Sequence, residues 1–515
     1  MSHVRHEEIM PGLWKFTDTC NVYVIGQDAH AIAIDFGSGA WLDDLPALGI
    51  TRLEHVFLTH HHDDQCAGLS ARSDWPFTIH APVGEGRFLD PAQEGAGHRA
   101  PWFGDGCPAS YAAPKGRIAH IVYDMAGFGW FFWHHRRLRF YLTPGHGPHA
   151  ISVLIEHQGK GIVCCGDAAH AGATVWEPYH LEWDHWTGTG ALAAWEGIER
   201  LAGLGVDVLC PAHGPVIEDD PRQLLRTLSD KLLHFYRAKG QISPGEADRN
   251  LPPEVRACGA FRYLPHLYQF GCNGYLLVSE TGEALVVDPT TSDLEALAAL
   301  CADIQVRPTA MAVSHYHFDH CDAIPAVRDR YGAVAWLHPR IADAWLDPAH
   351  TLLPWLLPQT LQPFSLWPDA GDWQWNEYTF RIAPWPGQTW WHCAFMTEVD
   401  AHRVLFAGDS FQPAGIWNGT GGFCAYNNSR FLEGYVPSAR LALAWQPEIV
   451  AAGHTNCYAF APAKFEKILA WAQDAHDAVL ALCPHGDLER DYYAVFARIA
   501  EDGYRTPGRA VTRRL

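Results

Sequence analysis

The chain is short of charge, and of basic charge above all. Its 515 residues hold 37 Lys and Arg against 58 Asp and Glu, a formal net charge of −21. Nothing resembles a basic stripe that could meet a phosphate backbone, which excludes a nucleic-acid partner as the first reading and argues modestly against polyanionic substrates. Long apolar runs are missing too. None approaches the ~20 residues that span a bilayer, and the stretch from Met1 to Glu8 lacks an apolar signal core. The expectation is a cytoplasmic protein with no membrane partner. The 14 cysteines show neither CxxC nor the spacing of a small disulfide scaffold, which suits buried free thiols in a reducing compartment.

What is abundant is apolar and aromatic. Hydrophobic residues make up 48 %, with 22 Trp, and there are 31 His. The length exceeds what one core serves, so two domains are expected. The stretch that organises both is Ser314-His315-Tyr316-His317-Phe318-Asp319-His320. In an extended segment alternate residues share a side, so His315, His317 and Asp319 project together and His320 turns toward a second point. Two first-row metal ions side by side would use such a fan. A His-rich surface loop is the plainer reading. It is disfavoured because Thr309 to Ser314 reads as a buried strand delivering the cluster to a strand end.

The cluster occurs earlier as His60-His61-His62-Asp63-Asp64-Gln65, with Gln65 standing where His320 stands. Other stretches mirror each other in the same order: Cys20 to Ile25 with Gly271 to Val278, Ala31 to Asp35 with Ala284 to Asp288, Pro144-Gly145-His146 with Pro386-Gly387-Gln388, Val163 to Asp167 with Leu405 to Asp409, and Leu209 to His213 with Val450 to His454. This points to an internal duplication. The expected layout is a first domain over 1–240, a linker over 241–260, and a second domain over 261–515 whose terminal helices run at 462–482 and 489–500. The stretch 90–116 reads as a long loop. The aromatic stretch 127–141 reads as a strand pair with one buried face, or less simply as a wall over a site.

Each half resembles a metallo-β-lactamase-fold hydrolase, and the resemblance covers nearly the whole chain. It rests on H-x-H-x-D-H, a distant His after Pro-Gly, a Gly-Asp, and a late His, all found twice and in order. The resemblance implies an α/β fold, an αββα sandwich in two tandem copies, with metals at one edge between the sheets. It implies that a first ion takes His60, His62 and His146 and a second takes Asp64, Gln65 and His213, with Asp167 bridging. In the second half it implies His315, His317 and Gln388 for the first ion, Asp319, His320 and His454 for the second, and Asp409 bridging. Two divalent metals per active half follow, zinc foremost, iron or manganese as alternatives. Asp64 and Asp319 would be the carboxylates that handle protons.

Gln65 and Gln388 depart from the pattern. A Gln carbonyl is a neutral and weaker ligand than imidazole, so each half should hold one ion loosely. His392 could substitute for Gln388, although His149 would be its first-half counterpart and neither is the better choice as a ligand. His170, His180 and His185, near Trp176, Trp183 and Trp186, could line the first pocket or simply pack. In the loop Gly419 to Asn428, Tyr426 or Asn427 could touch substrate, a simple turn being the plainer account. Cys66 and Cys321 read as small packed residues. The function implied is metal-dependent hydrolysis of a small ester, lactone, thioester or amide. The alternatives are a di-iron redox enzyme on the same fold, or one catalytic half beside a decayed structural copy. The partner expected is a small-molecule substrate, with a homodimer as an open option.

Overall fold

Strand Asn21–Gln27 shows how the fold is built. Its side chains alternate between faces. Tyr23 and Ile25 enter one buried cluster with Phe57, Phe140, Val153 and Val208. Val22 and Val24 enter another with Trp41, Leu45, Leu58 and Leu69. A strand apolar on both faces needs a layer on each side, and the chain supplies both: a second sheet on one face, helical turns on the other.

The structure, a computed structural model, describes residues 4–89, 114, 116–183, 188–240, 250–348, 351, 353–357, 359–412 and 420–494. The described residues fall into two compact units, one containing those up to 183 with 188–237 and 478–492, the other containing 238–477 and 493–494.

In the first unit a seven-stranded sheet follows chain order from Arg5–Met10 to Ile121–Met125, antiparallel as far as His30–Ile34 and parallel from there. A five-stranded sheet faces it, ordered Val208–Pro211, Lys160–Gly166, Ile151–His157, Arg136–Leu142, Trp130–Trp133. Helix Thr189–Ala202 approaches residue 143 closely: a Cβ on Gly197 would stand 3.0 Å from the Cα of Thr143, a tight contact with backbone that glycine avoids.

The second unit repeats the plan. An eight-stranded sheet runs from Glu254–Val255 to Ser365–Leu366, antiparallel as far as Glu283–Val287 and parallel after it. A six-stranded sheet runs from Gly371–Trp375 to Tyr378–Pro384, Cys393–Val399, His402–Gly408, Ile449–Ala452 and Tyr458–Ala459. In both units the strand that ends in Gly-Asp pairs in parallel with the strand that ends near the late His. The fold is α/β, two tandem copies of one two-sheet sandwich.

Two expected boundaries differ. Glu254–Val255 pairs with Phe261–Leu264, and the Leu251 N–H donates to the Cys457 carbonyl at 2.8 Å, so 250–260 belongs to the second unit rather than to a linker. Residues 241–249 lie outside the described residues. At the other end, 478–492 joins the first unit, not the second. The Leu482 carbonyl accepts the Val175 N–H at 2.9 Å, and the Tyr492 hydroxyl donates to Glu182. Amphipathic patterning marks a buried face without naming the core it covers, which is why the sequence assigned this segment to the wrong half. Helix Pro462–Leu480 matches expectation in place, whereas of the helix expected at 489–500 only Leu488–Asp491 is described as helical and 495–500 lie outside the described residues.

The aromatic stretch is a hairpin, Trp130–Trp133 against Arg136–Leu142, with Trp133, Leu138 and Phe140 buried and Trp130 and Phe132 exposed. The long loop expected at 90–116 lies outside the described residues apart from 114 and 116. The described cysteines are free thiols and mostly buried.

Candidate metal centres

Each cluster begins one step past a parallel strand, and a carboxylate on the neighbouring strand end fixes it there. Asp35 and Asp288 both adopt left-handed backbone, φ 60° and 49°. The Asp35 carboxylate accepts the Thr59 N–H at 2.8 Å and its hydroxyl at 3.0 Å. Asp288 does the same for Ser314, at 2.7 and 2.6 Å. With its proton given to the carboxylate, each hydroxyl oxygen accepts from the next imidazole: Thr59 from Nδ1 of His60, Ser314 from Nδ1 of His315, both at 3.0 Å. That fixes the tautomer and leaves Nε2 as the lone-pair nitrogen. Nε2 of His60 and Nε2 of His315 are buried and have no hydrogen-bond partner among the described residues.

In the first unit these nitrogens meet others. Nε2 of His146 lies 3.0 Å from Nδ1 of His62 and 3.4 Å from Oδ2 of Asp167, and Nε2 of His60 lies 3.5 Å from the same oxygen. Burial holds His60 down at about 3 and pushes His62 and His146 well below the ordinary imidazole value. Two neutral rings with nitrogens 3.0 Å apart repel if lone pair faces lone pair, and a cation between them removes the conflict. The imidazole of His180, itself buried and held at about 3 by that burial, packs on His62 and His146 with ring centroids 4.4 and 4.6 Å away.

The second group of the first unit is Asp64, Gln65 and His213 around the same Asp167. Nε2 of His213 is 2.8 Å from Oδ2 of Asp64 and 3.8 Å from Oδ2 of Asp167. The Gln65 amide donates to Asp64 at 3.0 Å and to Asp167 at 3.3 Å. Trp176 stacks on His213, centroids 4.3 Å apart and planes within 12°.

The second unit reverses the pattern. Nε2 of His315 is 3.8 Å from Oδ2 of Asp409, and the Gln388 amide donates to that oxygen at 3.1 Å. Nε2 of His317 is 3.3 Å from Oδ1 of Asn427, whose own amide donates to the Gln388 backbone carbonyl at 3.1 Å. Asn427 thereby makes Nδ1 the lone-pair nitrogen of His317. On the other side Nε2 of His320 is 3.1 Å from Oδ1 of Asp409, and Nε2 of His454 is 3.1 Å from Asp319 and 3.3 Å from Asp409. Nδ1 of His320 is 3.1 Å from Asp288. Burial alone would lower His320, but the carboxylates of Asp409 and Asp319 hold it up at about 10. Burial would raise Asp319; His320 and the bond to His454 bring it to about 2.

The structure thus brings together His60, His62, His146 and Asp167; Asp64, Asp167 and His213; His315, His317 and Asp409; and Asp319, His320 and His454, each with ligand atoms within 4.8 Å of one another. Gln65 and Gln388 touch these groups through their amides. Asp64 and Asp319 are the open side, with side chains 31 and 29 % exposed against 2 and 3 % for Asp167 and Asp409. A further group, His30, Glu54 and His134, is half-exposed, and its carboxylate already takes the Trp133 indole N–H at 2.7 Å and sits 3.6 Å from Arg52.

Other candidates fall outside the ligand groups. His392 stacks on His315, centroids 4.8 Å apart. The His149 backbone N–H bonds Glu85, and His170 packs against Trp176. Trp183 donates to the Gly145 carbonyl at 2.9 Å. His185 and Trp186 lie outside the described residues. Tyr426 and Asn427 are buried in the short turn Ala425–Asn427 and do not line an open surface. Cys66 and Cys321 are packed, their thiols pushed up by burial.

Sequence reasoning passed over Asp35, Asp288 and the role of Asn427 beside His317, having offered Asn427 only as a candidate substrate contact. The first two carried a signal, an Asp closing mirrored apolar strands; Asn427 carried none, because its partner is distant in the chain. Replacing Asn427 with Leu keeps its size and removes the acceptor that orients His317. The expected result is a roughly 10–100-fold weaker hold on metal at the His315–His317 position, measured in a Gln388→His background by competition against a chelator, with the far-ultraviolet dichroism unchanged.

A profile of the Metallo-beta-lactamase superfamily matches residues 17–213 and again 267–454. Among curated proteins, a hydroxyacylglutathione hydrolase of Aeromonas hydrophila is 30 % identical over 151 residues, 28 % of this chain and 49 % of that protein. The corresponding enzyme of Aeromonas salmonicida is 28 % identical over 160 residues, 30 % and 49 % of the two. The chain thus spans about half the length of these hydrolases. An uncharacterised protein of Mycobacterium leprae is 25 % identical over 150 residues, 27 % of this chain and 69 % of that one. Among solved structures, a B3 metallo-β-lactamase with an active-site glutamic acid has a TM-score of 0.37 at 18 % identity, covering 45 % of this chain and 90 % of its own.

Proposed function

From the premise that the chain belongs to the metallo-β-lactamase superfamily, we propose that it is a metal-dependent hydrolase of a small acyl compound, an ester, lactone, thioester or amide. The thioester is the first choice, because two relatives are hydroxyacylglutathione hydrolases. The observation that carries the reading is the convergence of buried imidazole nitrogens, in tautomers set by Asp35 and Asp288, on one buried carboxylate in each unit.

A bound divalent cation, zinc foremost, would supply a water whose pKa is lowered to roughly 7 and a Lewis acid for the acyl oxygen. In the first unit His60, His62, His146 and Asp167 would hold one such cation, and Asp64, Gln65, His213 and Asp167 surround the position of a second. In the second unit Asp319, His320, His454 and Asp409 would hold one, and His315, His317, Gln388 and Asp409 surround the position of the other. The buried floor keeps competing water away from the ligands. Asp64 and Asp319, at the open side, are placed to accept a proton from water and return it to the leaving group. Trp176, partly exposed and stacked on His213, offers aromatic surface beside the second ligand group of the first unit, suited to an uncharged acyl chain.

The test is zinc-loaded protein assayed against acyl thioesters, esters, lactones and amides. Expected is turnover of at least one class ~100-fold or more above that of chelator-treated protein. No turnover of any class by protein shown to contain zinc would overturn the proposal.

A further inference from the structure

The two Gln substitutions fall at opposite places, and their amides make the same contact. Gln65 replaces a nitrogen ligand in the Asp64–His213 group, and its Nε2 donates to Oδ2 of Asp167 at 3.3 Å and to Asp64 at 3.0 Å. Gln388 replaces one in the His315–His317 group, and its Nε2 donates to Oδ2 of Asp409 at 3.1 Å. A carboxylate only accepts, so the amide must turn its nitrogen toward it. Both glutamines are buried, as are Asp167 and Asp409.

Resting on the metallo-hydrolase reading, we infer that each unit holds one cation firmly, at opposite positions: among His60, His62, His146 and Asp167 in the first, and among Asp319, His320, His454 and Asp409 in the second. At the other position of each unit the amide N–H supplies Oδ2 of the shared carboxylate with the electropositive partner that a second cation would have been. To admit that cation the amide must give up its N–H bonds and rotate. Rotation sets Oε1 against the same Oδ2, oxygen facing oxygen. The ligand left after rotation is a neutral amide carbonyl, weaker than imidazole for zinc.

The two sites then differ in charge. Three neutral imidazoles and one carboxylate leave a divalent cation with net positive charge in the first unit. Two imidazoles and two carboxylates neutralise it in the second. The first site should therefore be the stronger Lewis acid, and the second should tolerate a harder ion such as Mn²⁺ better.

Native mass spectrometry of the full chain, reconstituted with zinc alone and desalted, tests this. Expected are two zinc ions per chain. Gln65→His and Gln388→His should each raise the count to three, and the double variant to four. Should a His variant fail to fold, single-ligand losses give the same answer. His60→Ala and His320→Ala each lower the count to one, whereas His213→Ala and His315→Ala leave two. Four zinc ions in the unaltered chain, or loss of zinc from His315→Ala with retention in His320→Ala, would overturn the inference and leave the hydrolase reading standing. No zinc at all would overturn both.

Discussion

Asp167→Ala and Asp409→Ala are each expected to strip one unit of its cation, and turnover should fall by about 10²–10³ or more in whichever unit works on the substrate assayed. Asp167 stands at the centre of the first unit's constellation, 3.5 Å from His60, 3.4 Å from His146 and 3.8 Å from His213. Asp409 occupies the same place relative to His320 and His454. Among the described residues Asp167 belongs to both ligand groups of the first unit, and Asp409 approaches His315 as well as His320 and His454 in the second. The variants separate the halves: if only one lowers the rate, the other unit serves a different substrate or none. Unchanged rates in both variants would end the catalytic reading. Metal content measured on the same preparations distinguishes a lost cation from a disturbed substrate.

Chelation should have the next largest effect, and on stability as well as rate. A ligand bound at about 1,000 times its dissociation constant adds about 4 kcal/mol to the native state. For units of this size each kcal/mol moves the melting temperature by about 2–4 °C, so removing tightly held zinc should lower it by about 8–16 °C. The physical source is local. Nε2 of His60 is buried and has no hydrogen-bond partner among the described residues, and unmet polar atoms in an interior are costly. Thermal unfolding followed by circular dichroism, with and without chelator and after zinc is restored, measures this. A melting curve indifferent to complete metal removal would count against a cation holding these groups together.

Much of this was legible in the sequence because the information is local or repeated. His60, His62 and Asp64 announce themselves by spacing alone, as do His315, His317, Asp319 and His320. The repetition carried the more distant partners, since Gly-Asp and the late His recur in order after each cluster. The strands were legible because residues such as Val22 to Ile25 are apolar on both faces, which only a layered interior tolerates. The rest depends on where distant segments land. Asn427 contacts His317 across a turn whose composition looks like any Gly-rich connection. His180 reads as one more histidine until it is seen lying on His62 and His146. Gln65 and Gln388 were visible as weaker ligands. That their amide nitrogens bond the shared carboxylate needed coordinates, because side-chain amide orientation is set by neighbours and not by sequence.

The first unit is completed by 478–492, a segment made only after the whole of 238–477 has been synthesised. On the ribosome, at roughly 5–20 residues per second, its earlier part must wait about 10–50 s for Leu482 to receive the Val175 N–H and for Tyr492 to reach Glu182. Vectorial synthesis therefore favours the second copy finishing first, despite its later place in the message. Nascent chains stalled just short of 478 should be cut by protease near 175–183 and become resistant there once the last turn emerges; equal resistance before and after would refute that order.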